Sequence, residues 1–231
     1  MKERPILFSG PMVRALLREV DPKTMTRRVM KPQPVECIGG IFFNWSKSTE
    51  GSLYREDFVK YCPYGQPGDR LYCKESYSTH PTHYKADGYE LQEGEGTWHN
   101  AMFMARKYSR ILLEITAVRV ERVQEITAGD AIAEGIEQIM CEPDEETNKA
   151  LRRIGAKEVT EPYPIGWKNY LYKEDKRYKW HDPNPDPEYY PGWPWHSFRS
   201  LWDSINAKRG YSWESNPWNW VVEFKRITSR E

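Results

Sequence analysis

Long apolar runs are missing from this chain. Nothing in its 231 residues approaches the roughly 18 consecutive apolar positions that a membrane-spanning helix needs, and no signal-peptide pattern is visible at the N-terminus. The expected setting is the cytoplasm, with no membrane partner. Cysteine is scarce. The four present, Cys37, Cys62, Cys73 and Cys141, are widely spaced and form no CxxC pair, so they read as reduced thiols rather than a disulfide framework. The gap between Cys62 and Cys73 fits no common zinc knuckle, and no metal is expected. Excess charge of either sign is absent too. Lys plus Arg (34) equals Asp plus Glu (34), which weighs against a non-specific duplex-DNA binder but leaves room for a nucleotide or short single strand in a local basic pocket. There is no Walker loop, GxGxxG, HExxH or GxSxG. P-loop hydrolysis, a Rossmann cofactor and a zinc protease are therefore set aside, and no cofactor is expected.

What is present is concentrated in one place. Lys23-Thr24-Met25-Thr26-Arg27-Arg28 packs two hydroxyls, an amine and two guanidiniums into six residues after the Asp21-Pro22 turn. A turn that crowds cations beside hydroxyls can hold an anion, or can depress a lysine pKa until the amine serves as a base. The chain is also rich in aromatics, with ten Trp and fifteen Tyr, densest from Tyr163 to Trp220. Aromatic rings stack on bases; equally, they build the core of a chain poor in aliphatic residues.

Periodicity outlines the elements. Pro5 to Phe8 reads as a first strand, and Pro11 to Val20 as a helix capped by Ser9, with Met12, Val13, Leu16 and Leu17 on its buried face. Short strands are expected at Ile41 to Phe43, Phe58 to Tyr61, Arg70 to Glu75 and Trp98 to Met104. Ser109 to Val123 is the clearest long strand. A helix from Ala128 to Met140 follows, with Thr127 as N-cap and Asp130 at N3; Ile132, Ile136 and Ile139 face inward, and Glu134 and Glu137 need not. Residues 142–160 permit a helix. Residues 161–196, with Asp182 to Pro187 at their centre, read as an aromatic loop that forms neither helix nor interior strand. Phe198 to Ile205 returns as a helix, and Trp218 to Ile227 as a closing strand. Short strands around two or three helices imply an α+β fold with a small barrel.

Four blocks carry a family resemblance. They are Pro5 to Ser9 with Lys23 to Arg28; Cys62-Pro63-Tyr64-Gly65 with Pro67 to Leu71; Glu114-Ile115-Thr116 through Asp130 to Ile136; and Asn216-Pro217-Trp218 through Phe224 to Arg226. In order and spacing they resemble the ASCH domain proteins of bacteria and their phages, the first block being most like the prophage branch. The resemblance covers almost the whole chain, residues 1–231, as one domain with insertions at about 35–66, 76–100 and 142–196. It implies a PUA-like small β-barrel with flanking helices, related to RNA-binding modules. It also implies an activity, because a small bacterial member is an amidohydrolase that removes the acetyl group from N4-acetylcytidine. That member's catalytic lysine and threonine sit in a Lys-Thr-x-Thr-x-Arg segment, and its glutamate sits in the helix after the central strand. By position these correspond to Lys23, Thr26 and Glu134, and Arg28 matches the final arginine. This chain is about twice as long, so the resemblance carries the substrate less securely than the fold.

In the reading the resemblance suggests, Thr26 supplies the nucleophilic hydroxyl and Lys23 the base. Glu134 orients Lys23 or moves the proton to the leaving amine, and Arg28 or backbone N–H groups hold the oxyanion. Arg27 and Thr24 support them. Glu75, after a strand, and Trp98 are further substrate-binding candidates. The plain alternative is a solvated cationic face with ordinary strand hydroxyls and a surface glutamate. A second functional reading is a non-catalytic module that grips a phosphate or base edge of RNA or DNA and stacks bases on Trp98, Tyr163, Trp167 or Trp193. A third is a ribonuclease with His99 as base. Arg106, Lys107 and Arg110 form a second basic cluster, either a nucleic-acid path or a solvated edge.

Overall fold

The computed structural model describes residues 1–36, 41–43, 52–79, 81–171 and 193–227. Cys37 and the Asp182-to-Pro187 tract lie outside them. The chain begins with β1 (Glu3–Leu7), α1 (Gly10–Leu17) and β2 (Met25–Val29), followed by the short strands β3 (Val35–Glu36), β4 (Ile41–Phe43) and β5 (Ser52–Tyr54). Next come β6 (Arg70–Lys74), β7 (Leu112–Arg122), α2 (Ala128–Ala133) and β8 (Gln138–Cys141). The last elements are α3 (Glu145–Arg153), β9 (Tyr163–Trp167), α4 (Pro194–Asn206) and β10 (Trp218–Ile227). The architecture is α+β, as expected. Its centre is a five-stranded mixed sheet in the order β1-β6-β7-β10-β2, with β1 parallel to β6 and the other pairs antiparallel. Among the described residues no backbone pairing joins the edge strands β1 and β2 to each other.

Alternation explains the core. Leu113 and Ile115 on β7 are buried, and so are Val118 and Val120; the change of phase between the two pairs is a bulge, where the register with β10 slips between Glu223 and Phe224. On β10, Trp218, Trp220, Val222 and Phe224 face the same core, which also takes Ile6, Leu71 and Phe58. Burying a side chain such as Phe58 or Leu113 contributes about 2 kcal/mol. Asn219 and Val221, on the opposite face of β10, are buried as well. That face carries Arg27, which reaches α2 through Asp130 and α4 through the Phe198 ring, so both faces of the strand are covered. Four of the described tryptophans are therefore structural: Trp202, Trp213, Trp218 and Trp220 belong to the core.

Several local expectations fail for identifiable reasons. The helix expected over Ala128 to Met140 stops at Ala133. Gly135 follows at φ +82°, the left-handed conformation that ends helices. Residues Gln138–Cys141 then pair with Tyr163–Trp167, so the expected loop contains a strand. This is a two-stranded ribbon, and Pro164 sits beside its register slip, where a missing N–H is tolerated. Phe58 to Tyr61 lies in a 3₁₀ helix, Arg55–Tyr61, because Asp57 accepts the Tyr54 N–H at 3.1 Å and caps it. In Trp98 to Met104 the strand gives way to a 3₁₀ turn capped by Asn100, which accepts from the Met102 N–H at 2.9 Å. No helix among the described residues is long and apolar enough to cross a membrane.

Candidate active site

The cationic hexapeptide forms an edge strand rather than the expected turn. Met25–Val29 pairs antiparallel with β10, with Thr26 opposite Val222 and Arg28 opposite Trp220. Side chains alternate across a strand, so Thr26 and Arg28 share one face and Met25 and Arg27 the other. The lead-in is tied to two helix ends. The Lys23 N–H donates to Ala15 O and the Thr24 N–H to Ala133 O, both at 2.9 Å, satisfying carbonyls of α1 and α2. Those bonds bring Lys23 against the end of α2. Gly135 permits the approach, since a Cβ there would lie 2.9 Å from the Cβ atoms of both Ala15 and Lys23.

At this junction Lys23 meets Glu134. Lys23 Nζ donates to Glu134 Oε2 at 2.8 Å and to the Glu134 carbonyl at 2.5 Å. The side chains are 1% and 5% exposed, so Glu134 is buried, contrary to the surface position allowed by its helical spacing. Burial drives the Lys23 ammonium below its ordinary pKa; Glu134 opposes this, and Arg28 and Arg27 reinforce it. Arg27 is wholly buried, with Nη2 donating at 2.8 Å to both Glu121 and Asp130, and with Nη1 3.7 Å from Glu134 Oε1. Arg28 donates through Nη2 to Leu7 O at 2.7 Å and lies over the Phe8 ring at 5.0 Å, spanning the gap between β2 and β1. A cleft of about 780 Å³ opens along this gap, lined by Lys23, Thr26, Arg27, Arg28 and Glu134 among others.

Lys23, Thr26, Arg27, Arg28 and Glu134, five of the residues nominated from sequence, therefore converge. Glu75 and Trp98 do not line the cleft. Glu75 is buried at the end of β6 and takes Arg110 through both oxygens, at 2.9 and 3.1 Å. Burial raises its pKa and Arg110 opposes the rise. Trp98 is half-buried in the loop before the Asn100 turn. His99 packs on Tyr77 with ring centroids 5.1 Å apart, also away from the lining. The second basic cluster is engaged elsewhere: Arg106 pairs with Glu3, and Arg110 with Glu75 and Asp87. Trp193 is exposed, whereas Trp167 lines a neighbouring cavity with Tyr170.

The rings that do line the candidate site are Phe8, Tyr61, Tyr64, Phe198, Trp202, Tyr211 and Trp220. Sequence gave no reason to prefer them, because their shared position depends on the β1–β2 gap. Lys31 and Arg209 also line the cleft and, like Arg28, have no carboxylate partner among the described residues. Cys62, Cys73 and Cys141 are free and buried, and no cluster of metal-ligating side chains occurs among the described residues.

Fold and site thus define an α+β protein with a cation-rich, aromatic-walled cleft at an open sheet edge, containing a buried lysine–carboxylate pair. Comparison with protein-family models, curated proteins and solved structures gives no match to this chain.

Proposed function

We propose that this chain is an ASCH-type protein with a PUA-like barrel whose seam lies between β1 and β2. On this reading its cleft binds a nucleoside or nucleic-acid base and removes the acyl group from an N4-acylated cytidine. The carrying observation is the Lys23–Glu134 pair. Residues 111 apart in sequence meet at 2.8 Å in a buried position, in the cleft that Thr26 lines. A depressed lysine pKa enlarges the neutral fraction near pH 7, which a base requires. In this mechanism the Lys23 amine takes the Thr26 hydroxyl proton as Oγ1 attacks the acyl carbonyl. The proton passes to the departing amine nitrogen as the C–N bond breaks, and water hydrolyses the threonyl ester. Glu134 orients Lys23 through Oε2. Arg28 Nε, buried and without a hydrogen-bond partner among the described residues, supplies a donor for the oxyanion.

The test is incubation with N4-acetylcytidine, with cytidine followed by chromatography. Conversion is expected, falling about 10²-fold or more in Lys23→Ala and Thr26→Ala. Absence of turnover by wild type, or turnover in both variants unchanged from wild type, refutes the reading. One observation favours a second reading, a non-catalytic binder of a base or short strand: the uncompensated cations Arg28, Lys31 and Arg209 stand beside the ring wall. RNA binding without hydrolysis would select it. The ribonuclease reading draws no support from this cleft, because His99 lies outside it.

A further inference from the structure

Arg27 is the cation of the hexapeptide that the proposed chemistry does not use. Its guanidinium is wholly buried and fixed by Glu121 and Asp130, neither of which lines the cleft. Its Nη1 donates to Met25 Sδ at 3.3 Å and stands 3.7 Å from Glu134 Oε1. That oxygen is buried and has no hydrogen-bond partner among the described residues. Glu134 is therefore suspended between two cations, with Lys23 on one oxygen and Arg27 beside the other.

We propose that Arg27 is a positioning residue for the Lys23–Glu134 pair, and that Glu121 and Asp130 set through it how strongly Glu134 holds Lys23. The relay deepens the function proposed above and rests on it for the role of Lys23 as base. Its physics is charge balance. With both carboxylates present, Arg27 is compensated and Glu134 is left to Lys23. Neutralising one carboxylate leaves surplus positive charge 3.7 Å from Glu134 Oε1. Glu134 is drawn toward Arg27, and the potential at Lys23 becomes more positive. Both changes favour the neutral amine. The charged groups acting on Lys23 are Glu134, Arg28 and Arg27. Those facing Arg27 are Glu121, Asp130 and Glu134, with Arg119 behind, bonded to Glu121 at 2.5 Å, to Asp130 at 2.9 Å and to Glu223.

The experiment titrates Lys23 directly, by the carbon-13 shift of its Cε in lysine-labelled protein, with the signal assigned by its loss in Lys23→Arg. Glu121→Gln and Asp130→Asn remove charge with little change of shape. Glu114→Gln is the control: it removes the same charge from the same strand, where Glu114 pairs with Lys225 at 3.0 Å. The Lys23 midpoint is expected to fall by about half a unit to one unit in the first two and to stay in the control. In active enzyme the acid limb of kcat/KM moves the same way, a shift that a purely structural role would not produce. Glu121→Gln alone carries the test if Asp130→Asn does not fold. A midpoint that is unchanged or raised in Glu121→Gln overturns the relay, as does a Lys23 signal that never titrates. No substrate is needed, so a relay confirmed without turnover of N4-acetylcytidine removes the reaction and leaves the electrostatic coupling standing.

Discussion

Replacing Lys23 by methionine strands a buried carboxylate, and the cost follows from the geometry. Lys23 and Glu134 are 1% and 5% exposed, so solvent screens neither. Removing one partner of a buried pair costs about 3–5 kcal/mol. Arg27 remains 3.7 Å from Glu134 Oε1, which places the loss at the lower end, about 3 kcal/mol. The hydrogen bond to the Glu134 carbonyl is lost as well, worth about 1 kcal/mol. Methionine is close to lysine in length, so no large cavity confuses the result. Urea titration at neutral pH with an unchanged m-value should therefore show a loss of about 3–4 kcal/mol. The double variant Lys23→Met/Glu134→Leu should recover most of it, because no unpaired charge stays buried. The pH dependence has a definite sign. The folded Lys23 pKa lies below its ordinary value, so between the two the unfolded chain binds more protons at this residue, and the Lys23 contribution to stability rises with pH. The methionine variant lacks that rise, and the gap between the two proteins should widen toward alkaline pH. A single variant within about 0.5 kcal/mol of wild type, or a double variant no better than the single, would refute the reasoning.

Two further substitutions probe the frame and the mouth of the cleft. Gly135→Ala imposes a left-handed alanine, costing about 1–2 kcal/mol, and sets a methyl 2.9 Å from the Cβ atoms of Ala15 and Lys23. Thermal unfolding should show about 2–4 kcal/mol of destabilisation, and a loss under 1 kcal/mol would mean that the approach of Lys23 to α2 is looser than described. Arg28→Ala removes a cation whose described partner is the Leu7 carbonyl, so stability should fall by only about 1 kcal/mol. Anisotropy with a short single-stranded RNA should instead show affinity falling roughly tenfold, with a shallower salt dependence. Unchanged affinity would remove Arg28 from the binding surface.

Much of the frame was legible because it depends on local periodicity. The closing strand lies at Trp218–Ile227 as expected, and Thr127 caps α2 by accepting from the Asp130 N–H at 3.1 Å. What escaped depends on partners distant in sequence. Isoleucines at positions 132, 136 and 139 suit a helix, but the left-handed Gly135 and the pairing of β8 with Tyr163–Trp167 divide that stretch into a short helix and a strand. Glu134 sits on the polar side of the expected helix, and its burial follows from Lys23 arriving at the end of α2. Arg27 looked like auxiliary charge because Glu121 and Asp130 lie on other elements, about a hundred residues away, with separations of 94 and 103. The pairing of Lys23 with Glu134 came from resemblance rather than from spacing, and the geometry gives it a physical basis in a buried contact. The neighbouring rings Phe8, Tyr64 and Tyr211 carry no mark in the sequence that separates them from the many aromatics of the core.

The most direct measurement is acetate release from N4-acetylcytidine, followed by proton NMR with wild type, Thr26→Ala and Glu134→Gln in parallel. The account predicts stoichiometric acetate and cytidine with wild type, almost none with Thr26→Ala, and a strongly slowed reaction with Glu134→Gln. Intact substrate after prolonged incubation with folded wild-type protein, or equal release by Thr26→Ala, would contradict it.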